Sequence, residues 1–247
     1  MRSPQEIVFR LRQEGGNLLR VVHQPHVECA KKPPLAALPD PSAVANSLAG
    51  STYAVEVVRI AEKILRHRFP IMGIEIETGP NIDWRQDYIS GKSSDVGYFR
   101  RMPYLDFNQV GDHKIIWELN RHQHLVLLAQ AWRFTGRAEF LREIEAELEG
   151  WWGANPFAHG INWTSALEVA FRAFSWIWVF HIAGDALSDR VRRKLLDSLY
   201  AHGRHLSGNL SVYFSPNTHL MGEAMVLHAI AVLFPEFPRS RRWRREA

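Results

Sequence analysis

The chain has 247 residues, 46% hydrophobic and 23% charged, with a formal net charge of +4 and a pI near 9.4. This composition excludes a disordered or fibrous chain and leaves a globular protein of one large domain or two small ones. With Cys29 as its single cysteine the chain has no internal disulfide to hold the fold.

The first residues, "MRSPQEIVFRLRQEGG", alternate charge with apolar positions and lack the continuous apolar core of a signal peptide. No run approaches the roughly 18 apolar residues of a membrane span, so no membrane partner is expected and the compartment stays open between cytoplasm and periplasm. Ser3-Pro4-Gln5-Glu6 is a capping box with proline at the first helical position. It predicts an N-terminal helix to residue 22 with an apolar face of Ile7, Val8, Leu11, Leu18, Leu19 and Val22. Residues 23–42 read as a Pro-rich linker, and 43–247 as the main domain. A helix is predicted over about 43–66, stopping at Phe69-Pro70. Residues 70–113 mix Gly, Pro, Asn and Asp with short apolar pairs, which predicts a long irregular segment with one or two short strands. Segments of this length are often functional or packed over a site.

From Lys114 onward helices follow one another: 114–134, ended by Thr135-Gly136, then 137–152, 163–183, a helix capped by Ser188 and running to about 207, and 217–234. Short loops between long helices suggest antiparallel neighbours, and the loose helix-pair period suits a toroid or helical array. The 163–183 helix is apolar nearly all round, so it should be buried on several sides. Glu168, Arg172 and Ser175 share one stripe of it. Either Glu168 and Arg172 form a structural ion pair or the stripe lines a polar cleft. The terminal "RSRRWRREA" could bind an anion or be a solvated helix start or frayed tail.

Common catalytic patterns are absent: there is no glycine-rich phosphate loop, GxSxG elbow, HExxH or paired CxxC. His23, His26 and Cys29 have weak metal spacing, and no metal or cofactor is expected. The nine tryptophans suit either pyranose faces or wide gaps between helices. "WELNRHQHLVLLA" gathers Asn120, Arg121, His122 and His124. His122 reads as part of a polar helical turn, whereas Asn120 and Arg121 fit such a turn and a site equally well. "FSPNTHLMGEA" places Asn217 and His219 at a helix mouth with Glu223 one turn on. Asn217 can cap the helix and His219 can pair with Glu223. A helix N-terminus also favours an anion.

Together, "WELNRHQHLVLLAQAWRFTG", "NPFAHGINWTSALEVAFRAFSWIWVF", "FSPNTHLMGEAMVLHAIAVLFPEF" and "GPNIDWRQDY" resemble the N-terminal helical domain of the heparinase II/III-like polysaccharide lyases. The resemblance implies an all-α, incomplete (α/α) toroid. It implies a parent enzyme that breaks the bond next to a uronic acid by β-elimination, on substrates such as heparan sulfate, heparin or alginate. The uronate carboxylate must be neutralised while a base takes the C5 proton and an acid protonates the leaving oxygen. On this resemblance Asn217 and His219 are the catalytic candidates, although Thr218 separates an Asn and a His that are adjacent in some relatives. Asn120, Arg121, His124, Asn162, Trp163, Glu168, Arg172 and Glu223 are the substrate-binding candidates. The family's C-terminal β domain and catalytic Tyr are expected beyond Ala247, so a truncated chain carrying half a site, inactive alone, is the expectation. The expected partners are an anionic polysaccharide and that β domain, in cis or as a separate chain. The alternative is a non-catalytic carbohydrate-binding or assembly domain. Nucleic acid is disfavoured, because the arginine run has no recognised motif beside it.

Overall fold

The computed structural model describes residues 3–27 and 38–247. Half of the expected linker, including Cys29, lies outside the described residues. The architecture is all-α with two small hairpins.

Helix α1 (Pro4–Val22) starts where the capping box places it, with Ser3 Oγ accepting from the Glu6 amide at 3.2 Å. Its apolar face is another matter, since Leu11, Leu19 and Val22 are exposed. The packed side mixes Phe9 and Val21 with polar residues. Asn17 is buried and exchanges amide hydrogen bonds of 2.9 and 3.0 Å with Asn209. Periodicity thus identifies a helix, but it does not say which face meets a neighbour.

The helix expected over 43–66 is two helices, α2 (Pro41–Leu48) and α3 (Thr52–Ile64). Gly50 turns the chain with a φ of 73°, and Ser51 Oγ caps α3 by accepting from Ala54 N at 3.2 Å. Phe69-Pro70 does not end a helix. It lies in β1 (Arg68–Ile71), paired antiparallel to β2 (Ile74–Glu77) with Phe69 opposite Ile76. Met72 and Gly73 both have positive φ, as a two-residue hairpin turn requires.

The second hairpin, β3 (Gln86–Asp87) and β4 (Lys92–Ser93), is held by two carboxylates, and Asp83 accepts from Ser93 Oγ at 2.7 Å. Asp87 accepts from Ile89 N, Ser90 Oγ and Asp112 N at 2.5–2.9 Å. Gly111 packs against it at a φ of 73°, where a Cβ would stand 2.5 Å from Asp87 Oδ2. The irregular segment is therefore tied down by side chains, and α4 (Phe107–Val110) adds a single turn to it.

The predicted 114–134 helix is broken into α5 (His113–Asn120) and α6 (Gln123–Thr135). His122 adopts a left-handed φ of 57° between them. That conformation costs a non-glycine residue about 1–2 kcal/mol. Here it lets His122 Nδ1 accept from Trp176 Nε1 at 2.9 Å. Helices α7 (Ala138–Ala154), α8 (Ala166–Ala183), α9 (Asp189–Asn209) and α10 (Thr218–Leu233) follow the sequence pattern, with Ser165 and Ser188 as caps.

Helix α8 packs against α6, α9 and α10, so its all-round apolarity is explained by burial. It is long and apolar enough to cross a membrane by length and composition, contrary to expectation, yet 72% of it is buried inside the protein as a core helix is. The basic tail is an ordered helix, α11 (Ser240–Glu246), rather than a frayed end. Its Trp243 is fully buried and lies so close to Gly203 that a Cβ there would meet the ring at 2.7 Å.

Candidate functional site

A groove of about 370 Å³ opens at the mouth of α10. His219 and Glu223 line it from α10, Arg10 from α1, and Arg100, Tyr104, His113 and Trp117 from the segment running into α5. Asn217 caps α10 from the exposed side, at the edge of the groove and not among the residues that line it. Its Oδ1 accepts from Ser215 Oγ at 2.8 Å and from His219 N at 3.3 Å. Its Nδ2 donors have no partner among the described residues. His219 Nδ1 meets Ser215 Oγ at 3.2 Å, and Nε2 has no partner among the described residues. Two hydrogen-bonding groups thus stand unpaired on one helix N-terminus, where the backbone already favours negative charge.

Glu223 is not the direct partner of His219. Its carboxylate accepts from both the backbone N and Oγ of Ser211 at 2.7 Å, fixing the loop that carries Tyr213 and Phe214. Burial raises its pKa. Across the groove, burial lowers the pKa of His113, which packs 4.5 Å from the Trp117 ring. The cations on this side are partnered at the rim: Arg10 with Glu6 at 2.8 Å and Arg100 with Glu14 at 3.2 Å.

The other sequence-predicted residues do not reach this groove. Asn120, Asn162, Trp163 and Arg172 form one interior network. Asn120 and Asn162 both donate to the Trp84 carbonyl, at 2.9 and 2.8 Å, and Trp151 Nε1 donates to Asn120 Oδ1 at 2.7 Å. Arg172 is completely buried, donates to His202 Nε2 and the Asn162 carbonyl at 3.0 Å, and lies 4.4 Å over the Trp151 ring. Burial pushes its pKa down to about 9. Its helical neighbour Glu168 is not its partner. Glu168 instead holds Arg121 by a bidentate pair of 2.7 and 3.0 Å, so the ion pair locks α5 to α8. His124 bonds to Glu147 at 2.6 Å, far along the other wall. Among the described residues no cluster of His, Cys, Asp and Glu could hold a metal ion.

Comparison with known proteins gives this arrangement a context. The sequence profile of the heparinase II/III N-terminus matches residues 39–247. The chain belongs to the heparinase II/III family. The heparan sulfate lyase HepC from Pedobacter heparinus superposes with a TM-score of 0.62 at 22% identity, over 96% of this chain and 33% of that one. A solved heparinase III superposes with a TM-score of 0.61 at 20% identity, over 98% of this chain and 36% of that one. Both likenesses concern the fold, and this chain spans about a third of each matched chain. No curated protein matches the sequence.

Within this heparinase II/III-family domain, the sequence motifs point to two different things. "FSPNTHLMGEA" reaches the groove, whereas "WELNRHQH" and "NPFAHGINW" mostly build the floor behind it. Arg10, Arg100, Tyr104, His113 and Trp117 join the groove without a sequence motif that marks them as site residues. They come from separate segments whose approach is tertiary, and only the Gly/Pro-rich irregular stretch carried a signal for any of them.

Proposed function

We propose that this chain is the helical domain of a polysaccharide lyase that cleaves uronic-acid-containing glycans by β-elimination. The observation that carries the reading is the pair of unpaired groups, Asn217 Nδ2 and His219 Nε2, on the N-terminal turn of α10. Family membership and the likeness to proteins described as heparan sulfate lyases support it.

The C5 proton of a uronate is weakly acidic because the adjacent carboxylate is already negative. Hydrogen bonds from Asn217 and His219 to that carboxylate would drain charge into the protein as the enolate-like state forms. The α10 dipole adds to the effect. Aromatic walls at Tyr104 and Trp117 suit the apolar faces of sugar rings, and Arg10 and Arg100 supply positive potential at the rim.

The test is ultraviolet absorbance of the new C=C bond when heparan sulfate, alginate and other uronans are mixed with this chain and with any longer product of its gene. Asn217→Ala should lower kcat by about 10²–10³, the usual loss on removing one donor to a developing oxyanion. Absence of product on every uronan overturns the lyase reading. Uronan binding without product favours a carbohydrate-binding domain. An unchanged kcat in Asn217→Ala removes that residue from the site.

A further inference from the structure

A second depression, of about 540 Å³, lies between α1, α9 and the start of α11, and shares no lining residue with the groove. Arg20 enters it from α1, Arg204 from α9, and Arg239 and Arg242 from the α11 end. The carboxylates beside them are already engaged: Glu246 is bonded to Ser207 Oγ at 2.6 Å and Arg242 Nε at 2.5 Å, and Asp197 is paired with His26 at 3.2 Å. Arg20, Arg204 and Arg239 have no ion pair among the described residues. Arg20 donates to Asn17 Oδ1 at 2.7 Å, and Arg204 meets Tyr200, its hydroxyl at 3.5 Å and its ring centroid at 5.9 Å.

The position of Arg20 is built into the backbone. Its guanidinium lies against Gly208, where a methyl group would overlap it, and a Cβ at Gly16 would stand 3.4 Å from Nη2. Burial lowers its pKa, and repulsion from Arg204, Arg239 and Arg242 lowers it further. Like charges gathered around a partly enclosed space destabilise a protein unless an anion fills the space.

The shape of the cluster indicates which anion. A planar carboxylate carries one charge and offers edges for two guanidinium forks at most. A tetrahedral dianion offers acceptors in several directions and answers more of the positive charge. We propose that this depression binds a tetrahedral oxyanion, a sulfate or phosphate group, on Arg20, Arg204, Arg239 and Arg242. The assignment is independent of the proposed lyase function, because no groove residue takes part.

Thermal unfolding and calorimetric titration with sodium sulfate, sodium phosphate and glucosamine 6-sulfate, at ionic strength matched with sodium chloride, test it. Wild type should show saturable stabilisation by the divalent oxyanions beyond that of chloride. Arg204→Gln/Arg239→Gln should weaken binding at least tenfold and raise the anion-free Tm as repulsion is relieved. Gly208→Ala favours the helix and displaces only the Arg20 head, so it should also weaken binding, and it provides the readout if the double variant does not fold. Glucosamine 6-sulfate binding tighter than inorganic sulfate assigns the site to a sugar-borne group, whereas equal affinity assigns it to the free ion. Stabilisation that follows ionic strength without saturating, or that is equal in wild type and both variants, overturns the proposal.

Discussion

Replacing Asn120 with alanine separates a structural role from a substrate-binding one. The side chain is 1% exposed and makes three hydrogen bonds, to the Trp84 and Ile116 carbonyls and from Trp151 Nε1. After truncation the Trp84 carbonyl keeps its bond from Asn162, and the Trp151 indole N–H is left buried without a partner. An orphaned buried donor costs about 1–3 kcal/mol, and each lost neutral bond about 1 kcal/mol. The expected loss is therefore about 3 kcal/mol, equivalent to about 6–12 °C in Tm for a chain of this size. Urea unfolding monitored by tryptophan fluorescence measures it directly. A loss below about 1 kcal/mol would refute the reasoning. A stable variant with weakened glycan binding would return Asn120 to the substrate site.

Two further predictions concern stability. Gly203→Ala should destabilise by about 1–3 kcal/mol, because the new methyl group drives Trp243 from its seat; hydrogen exchange should show α11 loosening first. Acidification should unfold the protein early. Burial holds His205 at a pKa of about 3, and holds His122 and His202 well below their ordinary value. The folded state resists these protons while the unfolded state takes them up near pH 6.5, so the stability is complete above that pH and is lost as pH falls from 6.5 towards 3. His205 alone should account for about 2 kcal/mol of the loss between pH 7 and pH 5. His205→Phe should flatten that part of the curve in pH-dependent chemical denaturation, and an unaltered slope would contradict the burial argument.

The sequence made visible those features that depend on local chemistry. Ser3, Ser165 and Ser188 cap helices because a hydroxyl can reach an amide three residues on, and Gly136 ends α6 because its φ of 70° suits glycine. Burial of α8 was legible because, outside the narrow stripe of Glu168, Arg172 and Ser175, it is apolar nearly all round. The break at His122 was not legible, since histidine carries no turn signal and its left-handed backbone is stabilised by a contact with Trp176, 54 residues away. Glu168 illustrates the same limit. Helical spacing offers Arg172 as its partner, but tertiary packing delivers Arg121. Of the candidate site, only the α10 mouth could be read in advance, because cap, imidazole and helix dipole lie within three residues. Of the basic depression only Arg239 and Arg242 lie in the terminal arginine run that suggests an anion, because Arg20 and Arg204 are far from it along the chain.

Titration of the chain with an unsulfated glucuronate-containing disaccharide, followed by NMR of the Asn217 side-chain amide and the His219 imidazole, tests the central claim most directly. The account predicts saturable shifts at both side chains and at least tenfold weaker binding in Asn217→Ala. Shifts confined to other residues, or equal affinity in the variant, would contradict it.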